Sequence, residues 1–151
     1  MFITWVVLSA KFTGLLLGLG LISSLIVAWF SHDLLFSGLP KDSAGIFVRF
    51  SLYIPWLIWE IIKANFHILK LIFHPRMRDK INPHIVTFET GLTSDLAITT
   101  LANSITLTPG TITVNATSDG VFRVHAIDTP SAEALPGAML QKVAHIFGET
   151  I

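Results

Sequence analysis

Between Met1 and Ser31 the chain carries a single charge, Lys11. Phe12 to Trp29 is almost wholly apolar, interrupted only by Thr13, Ser23, Ser24 and glycines. A helix rises ~1.5 Å per residue, so about 20 such residues cross a hydrocarbon core of ~30 Å. The segment therefore predicts a membrane-spanning helix over about residues 12–30. Met1–Ala10 is apolar too, but too short to span; we read it as a short leader. The run exceeds a signal-peptide core, and no small-x-small cleavage site follows Trp29, so an uncleaved anchor is expected. Gly14 and Gly18 form a small-xxx-small pair, a pattern that lets a second helix approach closely. Incidental glycine is the plainer alternative.

After a loop over residues 31–43, SHDLLFSGLPKDS, a second long apolar segment runs from about Ala44 to Phe73. It carries Tyr53, Trp56 and Trp59, aromatic types that gather at membrane interfaces, and Pro55, which kinks a helix or marks its entry. At ~1.5 Å per residue it covers roughly 45 Å, enough to span over about residues 44–73 and either project or tilt. Glu60, Lys63, His67, Lys70 and His74 recur at spacings of three and four and share one helical face. The expected role is a stripe at headgroup level, with Glu60 paired to Lys63 and the lysines snorkelling. An ion relay and docking onto a partner helix are the alternatives. One carboxylate and two lysines make a poor carboxylate proton chain.

Basic residues cluster beyond this segment at Lys70, Arg76, Arg78 and Lys80. By the positive-inside tendency the C-terminal half is cytoplasmic, and with two spans the N-terminus is as well. The expected location is the cell membrane, multi-pass.

The chain is 52% hydrophobic and 13% charged, with mean hydropathy +0.67, too apolar for an ordinary soluble protein. Its formal net charge of zero leaves no footprint for nucleic acid. Cysteine is absent, which removes disulfides, thiolate metal sites and cysteine nucleophiles together.

Residues 1–74 thus form a membrane anchor, residues 75–83 a basic linker bracketed by Pro75 and Pro83, and residues 84–151 an aqueous α+β domain. His84–Thr90 reads as a strand. Thr93 or Ser94 caps a helix with Asp95 in its first turn, ending by about Leu107 because Pro109 disfavours helix before it. Thr111–Thr117 alternates, with Ile112, Val114 and Ala116 on one side. Ser118-Asp119-Gly120 signals a hairpin into a strand over Val121–Ile127. Ala132–Phe147 is a closing helix that Pro136-Gly137 splits or delays. The order is β-α-β-β-α. Roughly 70 residues make a marginal core, so the domain is expected to lean on partners or the membrane.

No catalytic constellation emerges, and no cofactor or metal is expected. His67, His74, His84, His125 and His145 lack metal-ligand spacing. Asp95, Asp119 and Asp128 have local work as cap, turn and strand end, and the threonines of TLTPGT have no base beside them. The reading is a non-enzyme. A membrane-anchored module binding a soluble ligand remains open at this point.

Several motifs do carry a family resemblance. Trp59-Glu60 with Asn65 lies in the second segment. Ser94-Asp95-Leu96 with Ile98 follows, and then the long block Leu101-Ala102-Asn103-Ser104-Ile105-Thr106-Leu107-Thr108-Pro109-Gly110-Thr111. In these, from about Trp5 to Phe147, the chain resembles the MrpE/MnhE/PhaE family, one of the component types of the multisubunit cation/proton antiporters. The resemblance implies a non-catalytic membrane component that supports sodium/proton exchange, other subunits carrying the ion paths. Its partners would be those subunits and membrane lipid, not nucleic acid. Related subunits occur in membrane-bound hydrogenase-type complexes, which leaves that assembly as the alternative. Gly14, Gly18, Trp59, Glu60, Lys63, Asn65, Asp95, Asn103, Thr108, Pro109 and Gly110 are the expected subunit contacts.

Overall fold

A computed structural model describes residues 2–31 and 43–151. Most of the loop expected over residues 31–43 lies outside the described residues. The chain divides into two compact units, Met1–Ser43 and Ala44–Ile151.

In the first unit, α1 (Phe2–Ser9) and α2 (Gly14–Phe30) pack against each other. Within this unit the close approach is made at a different glycine. A side-chain carbon at Gly14 or Gly18 would meet nothing within 4 Å, whereas one at Gly20 would collide with the Trp5 ring. Gly20 is also the buried residue of α2. Glycine spacing identifies a face that can be approached; it does not say what approaches it.

The second unit begins with α3 (Ser43–Ile72), which runs through Pro55. The linker holds one helical turn, α4 (Met77–Lys80). Then follow β1 (His84–Glu89), α5 (Asp95–Leu107), β2 (Thr111–Ala116), β3 (Val121–Ala126), α6 (Thr129–Glu133) and α7 (Gly137–Phe147). The expected closing helix is two helices, split at a cis Leu135–Pro136 peptide. The turn over Ser118-Asp119-Gly120 joins β2 to β3 as expected, and the sheet is antiparallel in the order β1-β3-β2.

One sheet face is dry. Phe122, Val124 and Ala126 of β3 are fully buried there, and Phe122 stacks on Phe88 with ring centroids 5.7 Å apart. α5 and α7 cover this face with Leu101, Ile105, Val143 and Ile146 in one continuous core. Alternation in β2 runs opposite to the apolar pattern: Ile112 and Val114 are about half exposed. Thr111 and Thr113 point inward because their hydroxyls have acceptors there, as described below. A bulge between Thr113 and Asn115 then returns Ala116 to the inner face.

The helix α3 lies against the α5–α7 layer. Tyr53, Trp56 and Leu57 join the core cluster, and the Tyr53 hydroxyl donates to Ser104 Oγ at 2.9 Å. Ser104 in turn donates to the Thr100 carbonyl at 2.7 Å. Lys142 of α7 sits 4.9 Å above the Trp56 ring. Replacing Tyr53 by phenylalanine should cost about 1 kcal/mol or slightly less, since Ser104 keeps an acceptor for its proton. Urea unfolding of the full chain in detergent checks this; no change would mean that the bond adds nothing net.

Candidate functional site

The threonine-rich block has a structural use. Thr108 Oγ1 donates to the Ser104 carbonyl at 2.9 Å, and Thr111 Oγ1 donates to the Ile105 carbonyl at 2.7 Å. Thr113 Oγ1 donates to the Ala102 carbonyl at 3.1 Å, and Thr106 Oγ1 accepts the Thr113 N–H at 3.2 Å. The last carbonyls of a helix lack intrahelical donors. Here threonine hydroxyls supply them and join α5 to β2. Gly110 makes the bend between them at φ +97°, and an added side-chain carbon would press on Ser131 Oγ and Ile68 Cδ1 at 3.0 and 3.1 Å. At the other end of α5, Ser94 occupies the cap position without a side-chain bond. Glu149 caps instead, accepting the N–H groups of Thr93 at 2.7 Å and Ser94 at 3.1 Å.

Against this bend lies a groove of about 460 Å³. Glu60, Lys63 and His67 of α3 form one wall, Thr108 and Pro109 the bend, and Ser131 and Met139 the far side. The polar stripe of α3 therefore faces the α+β domain. Glu60 and Lys63 pair at 2.7 Å as expected from their spacing, half in solvent, which limits the pair to at most about 1 kcal/mol. Lys70 and His74 line a neighbouring hollow with Asp79, Lys80 and Asp128.

His67 meets Asp128, a residue whose sequence role was only that of a strand end. The His67 Nε2 to Asp128 Oδ2 distance is 2.7 Å. Asp128 is 2% exposed and also caps α6, its Oδ1 accepting the Ser131 N–H at 3.0 Å, with Pro130 in the first turn. Burial pushes its carboxyl pKa upward. The hydrogen bonds from Ser131 and His67 outweigh that and hold it below the usual aspartate value. The signal available in sequence was the cap pattern Asp128-Thr-Pro-Ser131; nothing local announced the histidine 61 positions earlier.

Of the expected contact residues, the structure gathers Glu60, Lys63, Thr108, Pro109 and Gly110 around the groove. Trp59 and Asn65 face outward on α3, and Asn65 Nδ2 bonds the Ile61 carbonyl of its own helix. Asp95 and Asn103 are exposed on α5, and Gly14 and Gly18 belong to the first unit. Among the described residues no three His, Asp or Glu side chains are placed to hold a metal ion. No buried side-chain nitrogen or oxygen among them lacks a hydrogen-bond partner. The His67–Asp128 pair ties α3 to the start of α6.

Apolar helices joined to a small three-stranded α+β domain are the class of architecture expected of a membrane-associated protein. The chain belongs to the family of Na+/H+ ion antiporter subunits, whose model matches residues 1–145. It is 32% identical over 155 aligned positions to the E1 subunit of the Na(+)/H(+) antiporter of Staphylococcus aureus, covering 96% of this chain and 91% of the relative. Its fold is similar, with TM-score 0.70 and 32% identity, to a chain of the membrane-bound sulfane sulfur reductase, an archaeal respiratory membrane complex. That match covers 94% of this chain and 92% of the other. A chain of the Mrp complex from Dietzia matches at TM-score 0.46 and 27% identity, over 67% of this chain and 94% of the other.

Proposed function

We propose that this chain is a non-catalytic accessory subunit of a multisubunit sodium/proton antiporter complex. Family membership over nearly the whole chain carries this reading. The site agrees with it, because Glu60 and Asp128 are each tied to a basic side chain. The apolar helices of the first unit anchor the chain in the cell membrane. The α+β domain sits on the cytoplasmic side, supported by the basic residues Lys70, Arg76, Arg78 and Lys80. Gly14 and Gly18 in the anchor, and Asp95 and Asn103 on α5, are surfaces offered to neighbouring subunits. Thr108, Pro109 and Gly110 bring the groove to that list.

A deletion strain tests the role. Membrane vesicles lacking this chain should lose sodium-dependent proton exchange together with assembly of the complex. Glu60→Gln should restore both to the wild-type level. Restored assembly without exchange would place Glu60 on the ion path and overturn the structural reading.

The likeness to a sulfane sulfur reductase chain favours a second reading, an equivalent subunit of a related respiratory or hydrogenase-type complex. The proteins that co-purify with the chain distinguish the two.

A further inference from the structure

The helix α3 is long and apolar enough to cross a bilayer. Its packing is inconsistent with a simple span. The residues it turns inward recur every three or four positions, from Ile46 through Tyr53, Trp56 and His67 to Leu71. Along this face the α+β domain or its linker lies alongside: the core at Ile46 and Tyr53, Lys142 at Trp56, Asp128 at His67, and Ile81 and Asn82 of the linker around the hollow that the buried Leu71 lines. This contact is about 38 Å long at 1.5 Å per residue, more than the ~30 Å of hydrocarbon. A helix crossing the bilayer upright would draw the domain in with it. That domain has two edge strands, β1 and β2, whose outer backbone groups have no place in lipid.

The opposite face of α3 is just as continuous. Phe47, Ile54, Ile58, Ile62, Phe66 and Leu69 are all exposed, at 39–72%, and no formally charged residue lies among them. A face of this length is not left to water. Along one border run Trp59 and Lys70, and beyond the helix end come Arg76, Arg78 and Lys80. Apolar side chains on one face, with tryptophan and basic residues along the edge, are the chemistry of a helix lying in the plane of an anionic membrane surface.

We propose that α3 lies in the membrane interface, its apolar face on the acyl chains and its inner face carrying the α+β domain. This replaces the second span that length alone suggested. It also assigns lipid as the occupant of the outward face that holds Asn65. The inference rests on membrane association and not on which complex the chain joins.

The chain has no cysteine, so single-cysteine variants need no prior substitution. Phe47→Cys, Ile58→Cys and Phe66→Cys, all at exposed positions, would be spin-labelled in the full chain. Each would be assembled with its native partners and reconstituted into vesicles of phosphatidylethanolamine and phosphatidylglycerol. Collision with oxygen and with a water-soluble nickel chelate reports depth. The expected result is one shallow depth at all three sites, about 5–10 Å below the headgroups. A profile deepest at Ile58 and shallow at the other two would show a spanning helix and overturn the proposal. Labels shielded from both reagents would show that another subunit covers the face, and water-like labels would show that nothing apolar does. Either would also overturn it. Assembly, followed by co-purification, is read separately and is expected to be unchanged in all three variants.

Discussion

Phe122→Ala should destabilise the α+β domain by about 3–5 kcal/mol. Phe122 is the largest side chain in the core with no exposed area, near the start of the middle strand. It stacks on Phe88 and packs in the same cluster as Leu101, Ile105 and Val143. Removing the ring gives up its burial and leaves a cavity that three surrounding elements cannot close. Against a typical total of about 5–15 kcal/mol for a whole domain, such a loss leaves little margin. Urea unfolding of the full chain in detergent, followed by circular dichroism, measures it. A loss near 1 kcal/mol would mean that the sheet and helices are not held by this core.

Asp128→Ala should cost about 2–3 kcal/mol, the sum of a lost helix cap and an interaction removed from a buried site. The partner His67 is 41% exposed, so solvent screens its share and the cap contributes most. Asp128→Asn, which keeps an acceptor for the Ser131 N–H, should recover roughly half of the loss. The pH dependence follows from the lowered carboxyl pKa. Asp128 contributes its full stabilisation above the unfolded-state value near 3.8 and loses it as pH falls through its lower folded value. The wild-type chain and Asp128→Asn should therefore differ at pH 7 and converge in strong acid. A difference that persists or grows below pH 3 would contradict the assignment of the charged form.

The elements that sequence made legible are those governed by neighbours in the chain. α5 ends at Leu107 because Pro109 follows, the β2–β3 turn is set by Ser118-Asp119-Gly120, and Glu60 pairs with Lys63 one turn away. Contacts closed over distance were not legible. Glu149 caps α5 from 55 residues away, and Asp128 reaches back 61 positions to His67. The outer position of Ile112 and Val114 was hidden for another reason. Strand alternation gives two faces but not which is dry, and here the threonines have carbonyls to bond on the inner side. For α3, an apolar count could not separate a helix surrounded by lipid from one with lipid on one side. Only the three–four spacing of its inward residues, seen against the domain, does so.

Membership of a multisubunit antiporter assembly is tested most directly by purification through a tag on a different subunit. This chain should remain in fixed stoichiometric ratio to the tagged subunit through detergent extraction and size-exclusion chromatography. An intact complex that exchanges sodium for protons without this chain, or a chain that migrates alone at its own mass, would contradict it.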